Sequence, residues 1–123
     1  LEILLTKRSD TMRTFPGAWA LAGGHVDEYE TREQAVIREV KEETGLDFTP
    51  TEFGVYDEIF EDMWIHAVVT VYKGTVTGEI TAQETEVSAI GWYALNDVLS
   101  NDLELGFEHR KILTDFANRQ KDK

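Results

Sequence analysis

Glutamates are concentrated between residues 24 and 46 of this chain, where Glu30, Glu39, Glu42 and Glu43 stand close together in sequence. Carboxylates at this density repel one another unless a cation lies among them. Hard oxygen ligands of this kind suit Mg²⁺ or Mn²⁺, and the phosphates of a substrate can complete the coordination. The segment is therefore a candidate site for a divalent metal, and cleavage of a phosphoanhydride is the chemistry that such a site could perform.

The sequence predicts a helix that would hold three of these glutamates. Thr31 and Gln34 have the spacing of a capping box, so the helix should begin near Arg32. Gly45 stands where a left-handed residue commonly follows a helix, which places the helix end near Thr44. An apolar stripe is supplied by Ala35, Val36, Ile37 and Val40. We therefore expect a short helix with one face in the core.

Glu39, Glu42 and Glu43 would occupy one flank of this helix, because residues three and four apart are neighbours on a helix surface. That flank borders the apolar stripe, so the carboxylates should be partly shielded at the edge of a cleft. The alternative is a solvated acidic face, which is the common meaning of a run of charges. These glutamates alone leave that alternative open.

A longer motif contains the acidic flank. Gly24 is followed after five residues by Glu30, and after seven more by the run R-E-V-K-E-E-T-G-L at residues 38–46. The pattern matches the Nudix box at every specified position, and the chain therefore resembles the Nudix hydrolase superfamily. The odds of such a match by chance are on the order of one in ten million. The resemblance argues against the solvated face.

The resemblance implies an α/β (α+β) fold, a Nudix-type α/β/α sandwich with a mixed β-sheet between helices. Hydrophobic periodicity and turn-forming residues predict the elements. Strands are expected over residues 1–7, 19–22, 53–60, 65–72 and 89–94, a hairpin extension over 73–80, a helical turn over 96–99 and a terminal helix over 107–119. We expect a single domain over residues 1–123. Because Leu1 already lies in a predicted strand, that strand is expected to be truncated here.

Composition narrows the class of protein. The 123 residues include no cysteine, which excludes a disulfide framework, a thiolate metal site and a thiol nucleophile. A net charge of −12 disfavours binding to nucleic acid or to an anionic membrane. No apolar run approaches the roughly 18 residues of a membrane span, and no signal peptide is visible. We expect a cytoplasmic protein whose partner is a small-molecule nucleotide.

The resemblance also implies roles for the residues of the box. The ligands of Mg²⁺ or Mn²⁺ would be the carboxylates of Glu39, Glu42 and Glu43. Gly23 or Gly24 would add a backbone carbonyl, because a residue without a side chain lets the backbone approach the ion.

Arg38 and Glu30 would support these ligands. Arg38 would pair with Glu39 or Glu30 and so hold the ligand set in register. The alternative is an ordinary surface ion pair with Glu42, four residues on. Glu30 would act as a base that supports the ligands from outside, or as the ligand of a bound water.

The implied reaction is attack of a metal-activated water on one phosphorus of a diphosphate, and a carboxylate must take the proton of that water. In this superfamily the base is a glutamate of the box, for which Glu39 is a candidate, or a glutamate on a later loop. On such a loop Glu86, six residues before Trp92, is the first choice and Glu84 the second. The alternative is that both are solvated loop residues.

Substrate contacts are expected before the box and on the strands after it. The candidates are Arg8, Arg13, Phe15, Trp19 and Tyr56. An arginine near an aromatic ring can hold a phosphate and a base, although a place in the core explains Trp19 equally well. The segment 105–113 resembles the leucine-phenylalanine-x-histidine segment of Nudix proteins that cleave ADP-ribose. A helix start would explain the same residues.

Three functions remain open at this level. The first is hydrolysis of a nucleoside diphosphate linked to another moiety, with ADP-ribose as the leading example. The second is hydrolysis of a (deoxy)nucleoside triphosphate, including oxidised ones, to a monophosphate and pyrophosphate. The third is a non-catalytic nucleotide sensor, which the intact glutamate set disfavours. A homodimer is left open as a further partner.

Two residues depart from the pattern of the superfamily. Ala22 replaces the usual proline before the glycine pair, which gives up loop rigidity. Tyr29 replaces the usual glycine before the first box glutamate, and a bulky residue resists a positive φ if the backbone needs one there. Neither departure removes an expected ligand.

Overall fold

Apart from a short 3₁₀ helix (Glu61–Met63), five strands and three α-helices are the regular elements of the part of the chain that the computed structural model describes, residues 1–81, 86–101 and 103–121. In chain order they are β1 (Glu2–Arg8), β2 (Trp19–Ala20), α1 (Arg32–Thr44), β3 (Asp47–Phe60), β4 (Ile65–Thr77), β5 (Val87–Ala94), α2 (Leu95–Ser100) and α3 (His109–Lys121). The elements divide into two compact units, Leu1–Leu21 with Thr85–Lys123, and Ala22–Glu84. Within the described ranges, no helix combines the length and the apolar character that crossing a membrane requires.

The first unit is built on a three-stranded antiparallel sheet in the order β2-β1-β5. β1 lies in the centre, and its Thr6 pairs with Ala20 on one side and with Ile90 on the other. The buried core consists of Leu5, Leu95, Val98 and Leu113. The central strand and the two later helices therefore share one apolar core.

The segment 104–106 adds a parallel pairing to this sheet. The N–H of Trp19 donates to the carbonyl of Glu104 at 2.8 Å, and the N–H of Gly106 donates to the carbonyl of Trp19 at 2.9 Å. The sheet is therefore mixed, as predicted. Helices beside antiparallel and mixed strand pairings also confirm the predicted α+β class, whereas the single-domain organisation stays a prediction.

Beyond this pairing, a histidine side chain takes the place of the backbone as the hydrogen-bond acceptor. After Gly106 the chain turns through Phe107, at φ 54°, and enters α3. The N–H of Leu21 donates instead to Nδ1 of His109, at 3.0 Å. Burial, and secondarily the charge of Arg8, lowers the pKa of His109 to about 4. The imidazole is therefore neutral near pH 7 and free to accept.

The second unit contains α1 and the antiparallel ribbon β3-β4. The predicted ends of α1 are confirmed. Thr31 Oγ1 accepts from the N–H of Gln34 at 3.1 Å, and the Gln34 side chain accepts from the N–H of Thr31 at 2.9 Å. Gly45, at φ 79°, ends the helix in the left-handed region. Ile37 was assigned wrongly to the apolar stripe, because it lies about 200° around the helix from Ala35 and is 38% exposed.

Both strands of the ribbon are longer than predicted. The ladder runs from Phe60 opposite Ile65 to Asp47 opposite Thr77. The predicted hairpin extension over 73–80 is wrong, because Gly74 pairs with Pro50 instead of turning. The missing Cβ of Gly74 leaves room for the backbone of the opposite strand. β3 is an edge strand of this ribbon, which is where a proline is tolerated.

The remaining bounds differ from the predicted ones by two residues or fewer. β1, β5 and α2 are each shifted or extended by one or two positions. β2 ends at Ala20 rather than at residue 22, because the next backbone N–H is taken by the histidine side chain. α3 begins at His109 rather than at Phe107, whose left-handed φ places it outside the helix.

Lowering the pH from 6.5 towards 4 should destabilise the fold through His109. Its pKa falls from 6.5 to about 4 on folding, so the unfolded chain binds the proton first. The contribution to stability is full above pH 6.5 and is lost as the pH approaches 4, with an upper limit of about 3 kcal/mol. His109→Asn keeps an acceptor at the position of Nδ1 without a titrating ring. Its urea unfolding free energy should fall less over this range, and equal slopes in the two proteins would contradict the neutral-imidazole bond.

Candidate functional site

The three carboxylates of the acidic flank of α1 differ in exposure. Glu43 is 8% exposed, the Glu39 side chain is 14% exposed and the Glu42 side chain 49%. Two of the three carboxylates are therefore shielded, as expected for a cleft edge and not for a fully solvated face. Shielding strengthens every charge interaction of these groups.

Arg38 lies among these carboxylates and contacts two of them, Glu39 and Glu42, together with Glu30. Its Nε donates to Glu30 Oε2 at 2.8 Å and its Nη2 to Glu30 Oε1 at 3.0 Å, which is a bidentate pair. Its Nη1 donates to Glu39 Oε1 at 2.9 Å and to Glu42 Oε2 at 3.2 Å. Both predicted partners of Arg38 are therefore engaged at once, and the surface pair with Glu42 is present as well.

The hydrogen bonds between Arg38 and Glu30 shift the pKa values of both groups. Hydrogen bonds from Arg38, and then the backbone N–H of Asp27, hold the pKa of Glu30 below its usual value. Hydrogen bonding to Glu30, followed by Glu39, raises the pKa of Arg38 above its usual value. Glu30 is thus a fixed carboxylate anion in this structure, which suits a supporting group better than a proton acceptor.

A tight turn presents Glu30 to Arg38. The N–H of Glu30 donates to the carbonyl of Asp27 at 3.1 Å, and the N–H of Asp27 donates back to Glu30 Oε1 at 3.0 Å. Tyr29, the third residue of the turn, has φ 65°. A positive φ at that position is the mark of a type II turn, which favours glycine there. The backbone at Tyr29 therefore does adopt the positive φ that a bulky residue resists, and its side chain is 97% exposed.

Sequence reasoning missed two contacts made by this turn region. The carbonyl of His25 accepts from Arg38 Nη2 at 2.9 Å, and the carboxylate of Asp27 lies 3.5 Å from the same nitrogen. Neither contact has a signal in the sequence, because both depend on how the turn folds back against α1.

The glycine pair lies against the carboxylates. A Cβ built on Gly24 would stand 2.5 Å from the carboxylate carbon of Glu39, whereas one built on Gly23 would meet nothing within 4 Å. The N–H of Gly23 donates to Glu43 Oε2 at 3.3 Å. Only a glycine at position 24 lets the backbone approach the Glu39 carboxylate this closely.

The residues present fit a divalent cation in their chemistry. Three carboxylates on one helix flank and a glycine backbone supply the hard oxygen donors that Mg²⁺ and Mn²⁺ prefer. Within the described residues, however, no three aspartate, glutamate or histidine side chains are arranged as a ready ligand set. The glutamate oxygens are engaged by Arg38 and by Gly23 instead.

Of the two loop candidates for the general base, the structure describes Glu86 and not Glu84. Glu86 is exposed at the turn before β5, and its carbonyl accepts from the N–H of Ser9 at 3.0 Å. Glu84 lies outside the described residues. The assignment of the base stays a prediction.

Two of the predicted substrate residues come together in the first unit. The guanidinium of Arg8 lies 5.0 Å from the ring centroid of Phe107, and the Phe15 ring lies 4.6 Å from the same ring. Arg8 also donates to the carbonyl and hydroxyl oxygens of Thr14, each at 2.9 Å. The guanidinium is therefore oriented by the loop that precedes β2.

The other three substrate candidates differ in burial and in the unit that holds them. Arg13 is exposed. Trp19 packs against the core of the first unit and meets Tyr93 edge-on at 5.1 Å, which fits the core alternative. Tyr56 is half-buried on β3 in the second unit.

Tyr29→Gly should raise the free energy of unfolding by about 1 kcal/mol. A left-handed non-glycine residue costs roughly 1–2 kcal/mol, and the greater freedom of glycine in the unfolded chain cancels part of the gain. No packing is lost, because the tyrosine side chain is exposed. Tyr29→Ala keeps the strain and is the matched control in urea unfolding. An equal stabilisation by alanine would contradict the backbone explanation.

Gly24→Ala should weaken Mn²⁺ binding about 10- to 100-fold, the usual effect of displacing a supported ligand. The new methyl group would take the space of the Glu39 carboxylate, which must move. Gly23→Ala adds the same methyl group into open space and should lose much less affinity. Calorimetric titration measures both, with thermal unfolding to show that each variant folds. Similar losses in the two variants would argue against the role of the Glu39 approach.

A search for related proteins gives a consistent result. The NUDIX domain family model matches residues 1–116. The ADP-ribose pyrophosphatase of Methanocaldococcus jannaschii is 37% identical over 117 residues, covering 94% of this chain and 65% of that protein. The m7GpppN-mRNA hydrolase NUDT17 of Danio rerio is 32% identical over 109 residues, covering 74% of this chain and 36% of that protein. The chain thus covers less than two thirds of the length of these relatives.

Solved structures show the same similarity. A MutT NUDIX hydrolase from Burkholderia pseudomallei has a TM-score of 0.80 and 34% identity, covering 92% of this chain and 86% of that one. The NUDIX domain of Shewanella oneidensis NrtR, in complex with ADP ribose, has a TM-score of 0.81 and 28% identity, covering 97% and 77%. The predicted Nudix-type fold is confirmed, and this chain belongs to the NUDIX domain family.

Proposed function

We propose that this chain is a hydrolase that uses Mg²⁺ or Mn²⁺ to cleave the phosphoanhydride of a nucleoside diphosphate linked to another moiety. The observation that carries the proposal is the shielded acidic flank of α1, with Arg38 and the glycine backbone packed against its carboxylates. In a protein with a net charge of −12, a polyphosphate substrate needs a cation for its approach. The flank is where such cations would be held.

Glu39, Glu42 and Glu43 would hold the ion, together with the carbonyl of Gly23 or Gly24. When bound, the ion would neutralise the phosphate oxygens and increase the acidity of the attacking water. Arg38 would keep the carboxylates in register through its bidentate pair with Glu30.

A carboxylate must remove the proton from the attacking water. Glu86 is the proposed base, with Glu84 second and Glu39 as the candidate within the box. The exposed side chain of Glu86 supports its assignment only in leaving the carboxylate accessible to a substrate.

ADP-ribose is the proposed leading substrate. Supporting it are the name of the archaeal relative, an ADP-ribose pyrophosphatase, and the ADP ribose bound to the similar NrtR domain. Arg8 and Phe15 would contact the substrate, with Arg13 and Tyr56 as further candidates. Trp19 is the weakest candidate, because its ring already packs in the core.

A second candidate is hydrolysis of a (deoxy)nucleoside triphosphate. It is favoured by the similarity to the MutT hydrolase structure. The two functions differ in their products. ADP-ribose gives AMP and ribose 5-phosphate, whereas a triphosphate gives a nucleoside monophosphate and pyrophosphate.

Incubation with Mg²⁺ and a panel of ADP-ribose, dinucleotides, nucleotide sugars and nucleoside triphosphates should yield AMP and ribose 5-phosphate from ADP-ribose. Glu43→Gln should lower turnover at least 10³-fold, on the order of the effect of losing a group essential to catalysis. Its fold should persist, because the amide has the size of the carboxylate it replaces. Chromatography of the products reports both results.

Glu33→Gln is the matched control, because Glu33 is an exposed glutamate in the first turn of the same helix. It should turn over substrate at close to the rate of the unaltered chain. Equal activity of the Glu43 and Glu33 variants would overturn the ligand assignment. No turnover of any compound with Mg²⁺ or Mn²⁺ would contradict the proposed function.

A further inference from the structure

The two edges of the Arg38 guanidinium have different partners. One edge, Nε with Nη2, is held by both oxygens of Glu30 at 2.8 and 3.0 Å and by the His25 carbonyl at 2.9 Å. The remaining nitrogen, Nη1, is shared between Glu39 and Glu42. Glu30 therefore anchors the arginine without any help from Nη1.

Of the two contacts of Nη1, the one with Glu42 is exchanged at the lower cost. The bond to Glu42 is the longest of the arginine–carboxylate hydrogen bonds, at 3.2 Å, and the Glu42 side chain is 49% exposed. An exposed ion pair contributes little to stability, so giving it up costs little. The bidentate pair on the other edge holds Arg38 in place meanwhile.

The same two carboxylates are among those that would hold the proposed cation. The Arg38 guanidinium contacts four carboxylates, the fourth being Asp27 at 3.5 Å. One positive charge does not offset four negative ones, so this cluster keeps a strongly negative net charge. Within the described part of the chain, no three of these acidic groups are arranged as a ligand set. A divalent ion held by Glu39 and Glu42 would therefore draw on carboxylates that Arg38 Nη1 already contacts.

We propose that Arg38 is a replaceable internal cation as well as a positioning residue. It neutralises Glu39 and Glu42 while no divalent ion is bound, and it gives up these two contacts when an ion binds. Glu30 and the His25 carbonyl keep its other edge in place throughout. The inference rests on the proposed metal-dependent function, which supplies the competing ion.

A competing role and a purely positioning role of Arg38 have opposite effects on ion binding when the arginine is removed. If Arg38 only orients the ligands, its removal weakens ion binding. If it competes with the ion, its removal leaves the acidic flank unneutralised and tightens binding. Arg38→Gln should therefore bind Mn²⁺ more tightly than the unaltered chain, on the order of tenfold at low salt, and less so at high salt.

Two matched variants complete the Mn²⁺ titration. Arg32→Gln removes one positive charge from the same helix, where Arg32 bonds Thr70 and not the acidic flank. It should change the affinity less than twofold. Arg38→Lys keeps the charge but loses the bidentate geometry, and should bind Mn²⁺ less tightly than Arg38→Gln. Affinity of Arg38→Gln equal to or weaker than that of the unaltered chain overturns the proposal.

A measurement on the unaltered chain covers the case in which Arg38→Gln does not fold. In nitrogen-15 spectra, saturating Mg²⁺ should change the Arg38 Nη signals while the Nε–H signal, bonded to Glu30, stays in place. Nη signals that do not respond to bound Mg²⁺ overturn the proposal. A chain that binds neither ion contradicts the proposed function itself, and the inference falls with it.

Discussion

The contact between one guanidinium and several carboxylates is the constraint on which the candidate site depends. Glu39, Glu42 and Glu43 share one helix flank, and without a positive partner their mutual repulsion would oppose the helix that carries them. Arg38 supplies that partner from the same helix and ties the flank to the turn before it through Glu30. The acidic flank can therefore persist in the folded chain before any ion binds.

The backbone near this flank is adapted to the same demand. Gly24 has no Cβ, and the Glu39 carboxylate occupies the space that a methyl group would take. The Gly23 N–H reaches Glu43. In contrast, the turn that carries Glu30 holds a tyrosine in a left-handed conformation. The strain at Tyr29 accompanies a turn that places Glu30 against Arg38, and backbone strain of this kind commonly occurs at functional sites.

The sequence predicted those parts of the structure that follow from local rules, and not those that depend on distant contacts. The ends of α1 follow from Thr31, Gln34 and Gly45, whose side chains or backbone settle them within one turn. The lengths of β3 and β4 could not be predicted in this way. Glycine commonly forms turns, but Gly74 pairs with the opposite strand of the ladder. The bond from Leu21 to His109 joins residues 88 positions apart, and no local pattern contains it.

The candidate site divides in the same way. The acidic flank is a consequence of helix periodicity and was predictable, as was the pairing of Arg38. The engagement of Arg38 by Glu30, Glu39 and Glu42 at once depends on side-chain geometry and was not predictable.

The most direct test of the account is an anomalous diffraction map of crystals grown with Mn²⁺ and a non-hydrolysable ADP-ribose analogue. The account predicts manganese bound to Glu39, Glu42 or Glu43, whereas manganese elsewhere, or on none of them, would contradict it.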